Sequence, residues 1–203
     1  MAEICAGLNV LELGSGSVAA SMTGMVLADG GARVLKIESP DGDRLRTVNP
    51  SGFLVWNRGK ESLVADLRTA EGQATVKELA AKADVVIEAF APGTTTRWGV
   101  DADALRALNP SLVHLSITGF GKSGPLAHLK GYDSLVAAKA GVWARGGFGH
   151  RDGALLYPVP WGSFGAAMQS VAGVMAALRV RDLTGRGQAL DAVILLDVPR
   201  EES

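Results

Sequence analysis

Apolar positions along this chain follow two alternating rhythms. Short, nearly continuous apolar runs occupy residues 8–13, 32–37, 62–67, 84–88, 112–117 and 189–194. Runs of that length, bounded by glycine, proline and asparagine, predict strands, the first of them buried. Between them, apolar residues recur three and four apart at 19–29, at 70–82 with Val76, Leu79 and Ala83 facing inward, at 101–108 and at 132–142. These predict helices. The longest helical stretch follows Pro158 and Pro160, with Ser163 in the N-cap position and Phe164, Met168, Val171, Met175 and Leu178 at helical spacing. Arg179 and Arg181 suit the negative end of that helix, and Gly185 and Gly187 stop it. Residues 40–44 form a turn, the chain up to Gly59 is irregular with Phe53 and Trp56 packed, and 146–153 is a glycine-rich connector.

Strand, glycine turn, helix and strand within the first forty residues make a βαβ unit. Such a unit forces a right-handed crossover and parallel strands. The alternation continues along the chain, which predicts an α/β domain over residues 1–203 with a mostly parallel sheet. Ligands of such sheets bind at the carboxyl ends of the strands.

Composition narrows the function classes. With 47% hydrophobic and 20% charged residues the chain is globular rather than disordered. A net charge of −1 predicts neither a nucleic-acid nor an anionic-membrane partner. The single cysteine, Cys5, excludes a disulfide within the chain, and His114, His128 and His150 lack metal-ligand spacing. No apolar run reaches a membrane span and no signal peptide is evident, so a cytoplasmic protein is expected.

Gly14-Ser-Gly16-Ser-Val18-Ala19 fits a G-x-G-x-x-A phosphate turn between strand and helix, with Glu38 after the second strand. Taken alone it resembles the first motif of S-adenosylmethionine-dependent methyltransferases, although Val18 replaces a usual glycine; the alternative is a tight turn needing glycine. Lys60, Arg97 and Lys130 lie on or near loops flanking strands and are either solvated charges or, if gathered, a phosphate site. Ser163 is a helix cap or a nucleophile, and spacing supplies no base for the second role. Asp133 is a helix-start residue or a general base.

Taken together, the motifs resemble the class III CoA-transferases (CaiB/BaiF type, including formyl-CoA transferase and α-methylacyl-CoA racemase). They are the 7–13 run, Leu27 to Pro40 with Asp43 and Arg46, Asn57 to Ser62, Ala83 to Glu88 with Pro92, Gly93 and Arg97, Leu108 to Leu112, Ser116 to Gly121, Lys130 to Asp133, and Thr184 to Gln188. The resemblance implies a Rossmann-like, doubly wound, mostly parallel sheet with helices on both faces, binding coenzyme A. It implies reversible CoA transfer between an acyl-CoA and a carboxylic acid through an aspartyl intermediate, without a metal. Its implied CoA contacts are Val18, Ala19, Asn57, Lys60, Ala89, Phe90, Arg97 and Lys130, with Phe90 near the adenine. It also implies an interlinked homodimer, or a complementary chain supplying what this one lacks.

Three departures qualify that expectation. The family's nucleophilic aspartate falls on Ser163, whose hydroxyl cannot form an acyl anhydride by the same route. Ala19-Ala20-Ser21 replaces the usual Ala-Gly-Pro, and the chain is half the usual length, lacking the smaller second domain. Tyr132 stands where the racemase branch has histidine. A non-catalytic CoA-binding or pairing subunit is therefore the alternative, with a methyltransferase-type nucleotide binder as the other.

Overall fold

The computed structural model describes residues 3–141 and 159–195. The expected connector at 146–153, His150, Pro158 and the predicted helix end at Val142 lie outside them. The strands are β1 (Asn9–Leu13), β2 (Arg33–Glu38), β3 (Glu61–Val64), β4 (Val85–Glu88), β5 (Val113–Thr118) and β6 (Ala189–Val193). The helices are α1 (Val18–Asp29), α2 (Leu45–Val48), α3 (Pro50–Trp56), α4 (Ala70–Ala80), α5 (Thr94–Arg97), α6 (Ala102–Leu108), α7 (Asp133–Lys139) and α8 (Trp161–Thr184).

The strands form one sheet in the order β3-β2-β1-β4-β5-β6, and every neighbouring pair is parallel. The chain winds outward from β1 to β3, returns to the middle, and winds the other way from β4. The order reverses between β1 and β4, and that is where a doubly wound sheet opens a crevice at its carboxyl edge. Alternate strand residues feed two cores. Val10, Val85, Ile87, Val113, Leu115 and Ile117 pack under α1, α7 and α8; Leu11, Leu13, Val86 and Leu112 pack under α4 and α6.

Three expectations about α8 are corrected. Ser163 is not its N-cap: the helix begins at Trp161 after Pro160, and the first-turn amide of Ser163 donates to the Asp133 carboxylate at 2.6 Å. Proline fixes φ and offers no capping oxygen, so the orphan amide is satisfied from another helix. The buried stripe is Ser163, Ala166, Ala167, Ser170, Val174, Ala177 and Leu178, whereas Met168 is 48% exposed. Small residues let α8 lie close on α1, whose Ala19 and Ala20 share its core. Apolar periodicity finds large side chains, while close helix contact selects small ones. An 18-residue window of the 24-residue α8 reaches a mean hydropathy of 1.2, so by length and composition alone this helix could cross a membrane, contrary to the expectation of no such run.

The stretch from Pro40 to Gly59 is more ordered than its pattern predicted. It holds α2 and α3, the latter started by Pro50 with the Asn49 side chain accepting from the Gly52 amide at 3.0 Å. Phe53 is buried as expected, under the Arg46 guanidinium 4.1 Å from its ring centre.

Candidate functional site

A cavity of about 580 Å³ opens at the carboxyl ends of β1, β4, β5 and β6, roofed by the starts of α7 and α8. It therefore lies at the reversal of strand order. The loop after β1 contributes Ser15, Gly16 and Ser17, the loop after β4 contributes Ala89, Phe90 and Pro92, and α7 and α8 contribute Asp133 and Ser163.

Backbone contacts fix the roof. A Cβ on Gly119 would come 2.2 Å from the Gly131 Cα, so the loop after β5 and the lead into α7 touch main chain to main chain. That contact carries Tyr132 and Asp133 to the cavity. At Gly162 an added Cβ would lie 2.9 Å from the Ile194 side chain and 3.6 Å from Asp133 Oδ1. The absence of a side chain there lets α8 begin against Asp133.

Asp133 is the one carboxylate among the described residues that line this cavity. Its Oδ2 accepts the Ser163 amide, and Oδ1 has no hydrogen-bond partner among the described residues. Ser163 is 3% exposed, and no base hydrogen-bonds its hydroxyl among the described residues. Beside the cavity, the Arg44 guanidinium donates to the Tyr132 hydroxyl at 3.2 Å, and Lys130 Nζ stands 5.9 Å from the Tyr132 ring centre. The Arg44 hydrogen bond, with the Lys130 and Arg44 charges, pulls the Tyr132 phenol below its ordinary pKa.

Of the residues expected to contact CoA, Val18, Ala89, Phe90 and Lys130 line the cavity, as do Asp133 and Ser163. Phe90 meets Trp98 edge to face, their centres 5.2 Å apart. Ala19 is fully buried in the core. Arg97 is exposed at the end of α5 and donates to Thr94 Oγ1 at 3.1 Å. Lys60 and Asn57 belong to an internal ion network. Lys60 Nζ lies 2.6 Å from Glu12 Oε2 and 2.9 Å from Asn57 Oδ1, beneath α1. Burial drives the Lys60 ammonium below the usual lysine pKa, partly offset by Glu12. The three expected cations are thus not gathered into one phosphate site.

Sequence reasoning missed that network. Glu12 and Lys36 are register partners on β1 and β2, 2.7 Å apart, and Lys36 Nζ also lies 2.8 Å from Asp43 Oδ2. Burial depresses Lys36, but the Glu12 and Asp43 charges outweigh it and leave the pKa raised. One charge inside each of two adjacent apolar strands was the available signal. Asp43 reaches the glycine turn as well: its Oδ1 accepts the Gly16 amide at 3.1 Å. Ser17 caps α1 by accepting the Ala20 amide at 3.2 Å. Two donors that a phosphate would use in a glycine-turn cradle are already bonded within the protein.

The family model for CoA-transferase family III matches residues 5–198. The chain belongs to that family. Succinate–glutarate CoA-transferase of Agrobacterium fabrum is 39% identical to this family III chain over 207 residues, covering 95% of it and 51% of the relative. The alpha subunit of succinyl-CoA–L-malate CoA-transferase of Chloroflexus aurantiacus is 35% identical over 197 residues, covering 93% of this chain and 46% of that subunit. The crystal structure of a CaiB/BaiF family protein from Brucella suis superposes with a TM-score of 0.88 at 38% identity, over 94% of this chain and 53% of that one. This family III chain spans about half the length of the relatives it matches. The expected family and α/β fold are both found.

Proposed function

We propose that residues 1–203 form a CoA-binding domain whose cavity receives an acyl-CoA, and that the chain takes part in moving CoA between an acyl-CoA and a carboxylic acid. The observation that carries this reading is a cavity at the strand-order reversal of a family III fold, with the Asp133 carboxylate at its roof. Its mixed lining suits a thioester: Phe90, Ile117 and Val136 offer apolar contact, and Lys130 offers a cation for an anionic group. Four-carbon and five-carbon dicarboxylic acids are the acids to try first, since succinate, glutarate and malate stand in the names of the relatives.

A second chain completes the machinery in this account, either another copy or a complementary subunit. Its support is the word subunit in the Chloroflexus name and the exposed Trp161 and Leu183 at the two ends of α8. A second reading, a CoA-binding or pairing subunit without activity of its own, is motivated by Ser163 in place of the family's aspartate. The methyltransferase reading rests on the glycine turn alone, whose Gly16 amide is held by Asp43.

Calorimetric titration with CoA and with S-adenosylmethionine tests the binding claim. Heat of binding with CoA alone is the expected result; a response to S-adenosylmethionine alone, or to neither, contradicts it. Isotope exchange between succinyl-CoA and labelled glutarate then separates transferase from inactive subunit.

A further inference from the structure

We infer that the acyl-accepting group of this chain is the carboxylate of Asp133, supplied from α7, in place of any group on α8; the inference rests on the acyl-CoA reading above. Moving CoA between two acids needs something to hold the acyl group while the thiol departs, or a direct collision of both substrates. Ser163 is poorly suited to hold it, because an unassisted hydroxyl is a weak nucleophile and no base contacts this one among the described residues. Asp133 needs no base. It faces the same cavity, and its two oxygens are differentiated: Oδ2 is held by the Ser163 amide at 2.6 Å, while Oδ1 is left without a hydrogen bond among the described residues.

That asymmetry suits both halves of the exchange. Oδ1 attacks the thioester carbonyl carbon, the C–S bond breaks, CoA leaves as its thiolate, and a mixed anhydride joins Asp133 to the acyl group. The thiolate then attacks the Asp133 carbonyl carbon, the anhydride C–O bond breaks, and the donor acid leaves as a carboxylate with Asp133 now a CoA thioester. In this second step negative charge develops on Oδ2, the atom already facing the Ser163 amide at the positive end of a 24-residue helix. A preorganised amide aimed at a developing oxyanion is a recurrent source of rate enhancement. The acceptor acid repeats the two steps in reverse order and restores the free carboxylate. Ser163 contributes its main-chain N–H in this scheme, so its side chain is free to vary.

The test is to incubate the full chain with succinyl-CoA, add borohydride to reduce any aspartyl anhydride or thioester to the alcohol, and map the peptides by mass spectrometry. Reduction at residue 133 in the wild type, lost in Asp133→Asn and kept in Ser163→Ala, is the expected pattern. The amide oxygen of the Asn variant can still accept the Ser163 N–H, so its melting temperature should match the wild type. Modification at Ser163, or CoA binding with no modified residue, overturns this inference alone, as does unchanged labelling in Asp133→Asn. Absence of any CoA binding removes the underlying reading and this inference with it.

Discussion

Glu12 on β1 and Asp133 at the start of α7 are opposite cases of what a carboxylate can do in this fold. Glu12 is fully buried and both its oxygens are committed, Oε1 to Lys36 at 2.7 Å and Oε2 to Lys60 at 2.6 Å. Asp133 is half-buried and commits one oxygen to a helix amide. A buried charge survives when partners satisfy it on every side, and such a cluster has nothing left to offer a substrate. A carboxylate held by one oxygen is positioned and still available. The contrast separates the buried ion network between β1 and β2, which is scaffold, from the cavity at the strand ends, which is open.

Removing Glu12 should have the largest effect. Glu12→Ala strips Lys36 and Lys60 of their shared partner inside the protein, at a cost of about 3–5 kcal/mol in denaturant unfolding. A loss below ~1 kcal/mol would mean that Asp43, Asn57 and the Ser21 carbonyl suffice, and that the network is not scaffold in the sense used here.

His114 gives the next effect, and it depends on pH. The ring is 1% exposed, neither nitrogen has a partner among the described residues, and burial lowers its pKa from 6.5 to about 4. Between those values the unfolded chain binds more protons, so stability falls as pH drops from 6.5 toward 4. The full penalty at the lower end is about 3 kcal/mol. His114→Leu should lose that portion of the acid slope when its unfolding is compared with wild type at pH 7 and pH 4. Parallel profiles would show that water or another group satisfies the imidazole.

Asp133→Asn sharpens the comparison from the other side. Its unfolding free energy should change by less than ~1 kcal/mol, because the amide oxygen keeps the capping bond. A loss as large as that of Glu12→Ala would make Asp133 scaffold too.

Much of the fold was legible because strand runs and glycine turns are local signals. The βαβ start, the order of elements and the C-terminal stop at Gly185, whose φ is 72°, all follow from residues near one another in the chain. The site was less legible because it joins elements far apart. Asp133 and Ser163 are thirty residues apart and meet only through the Gly119–Gly131 contact and the bare Cα of Gly162. Lys60 looked like a ligand cation because its loop was visible and its buried partner, Glu12, was not. The α8 face was misjudged because its buried stripe is built largely from alanine and serine, which carry little hydrophobic signal.

A structure of the chain with a CoA thioester bound tests the central claim most directly. The account predicts the thioester carbonyl carbon within about 3–3.5 Å of Asp133 Oδ1, with Oδ2 still on the Ser163 amide. A thioester seated against the Ser163 hydroxyl, or a ligand outside this cavity, would contradict it.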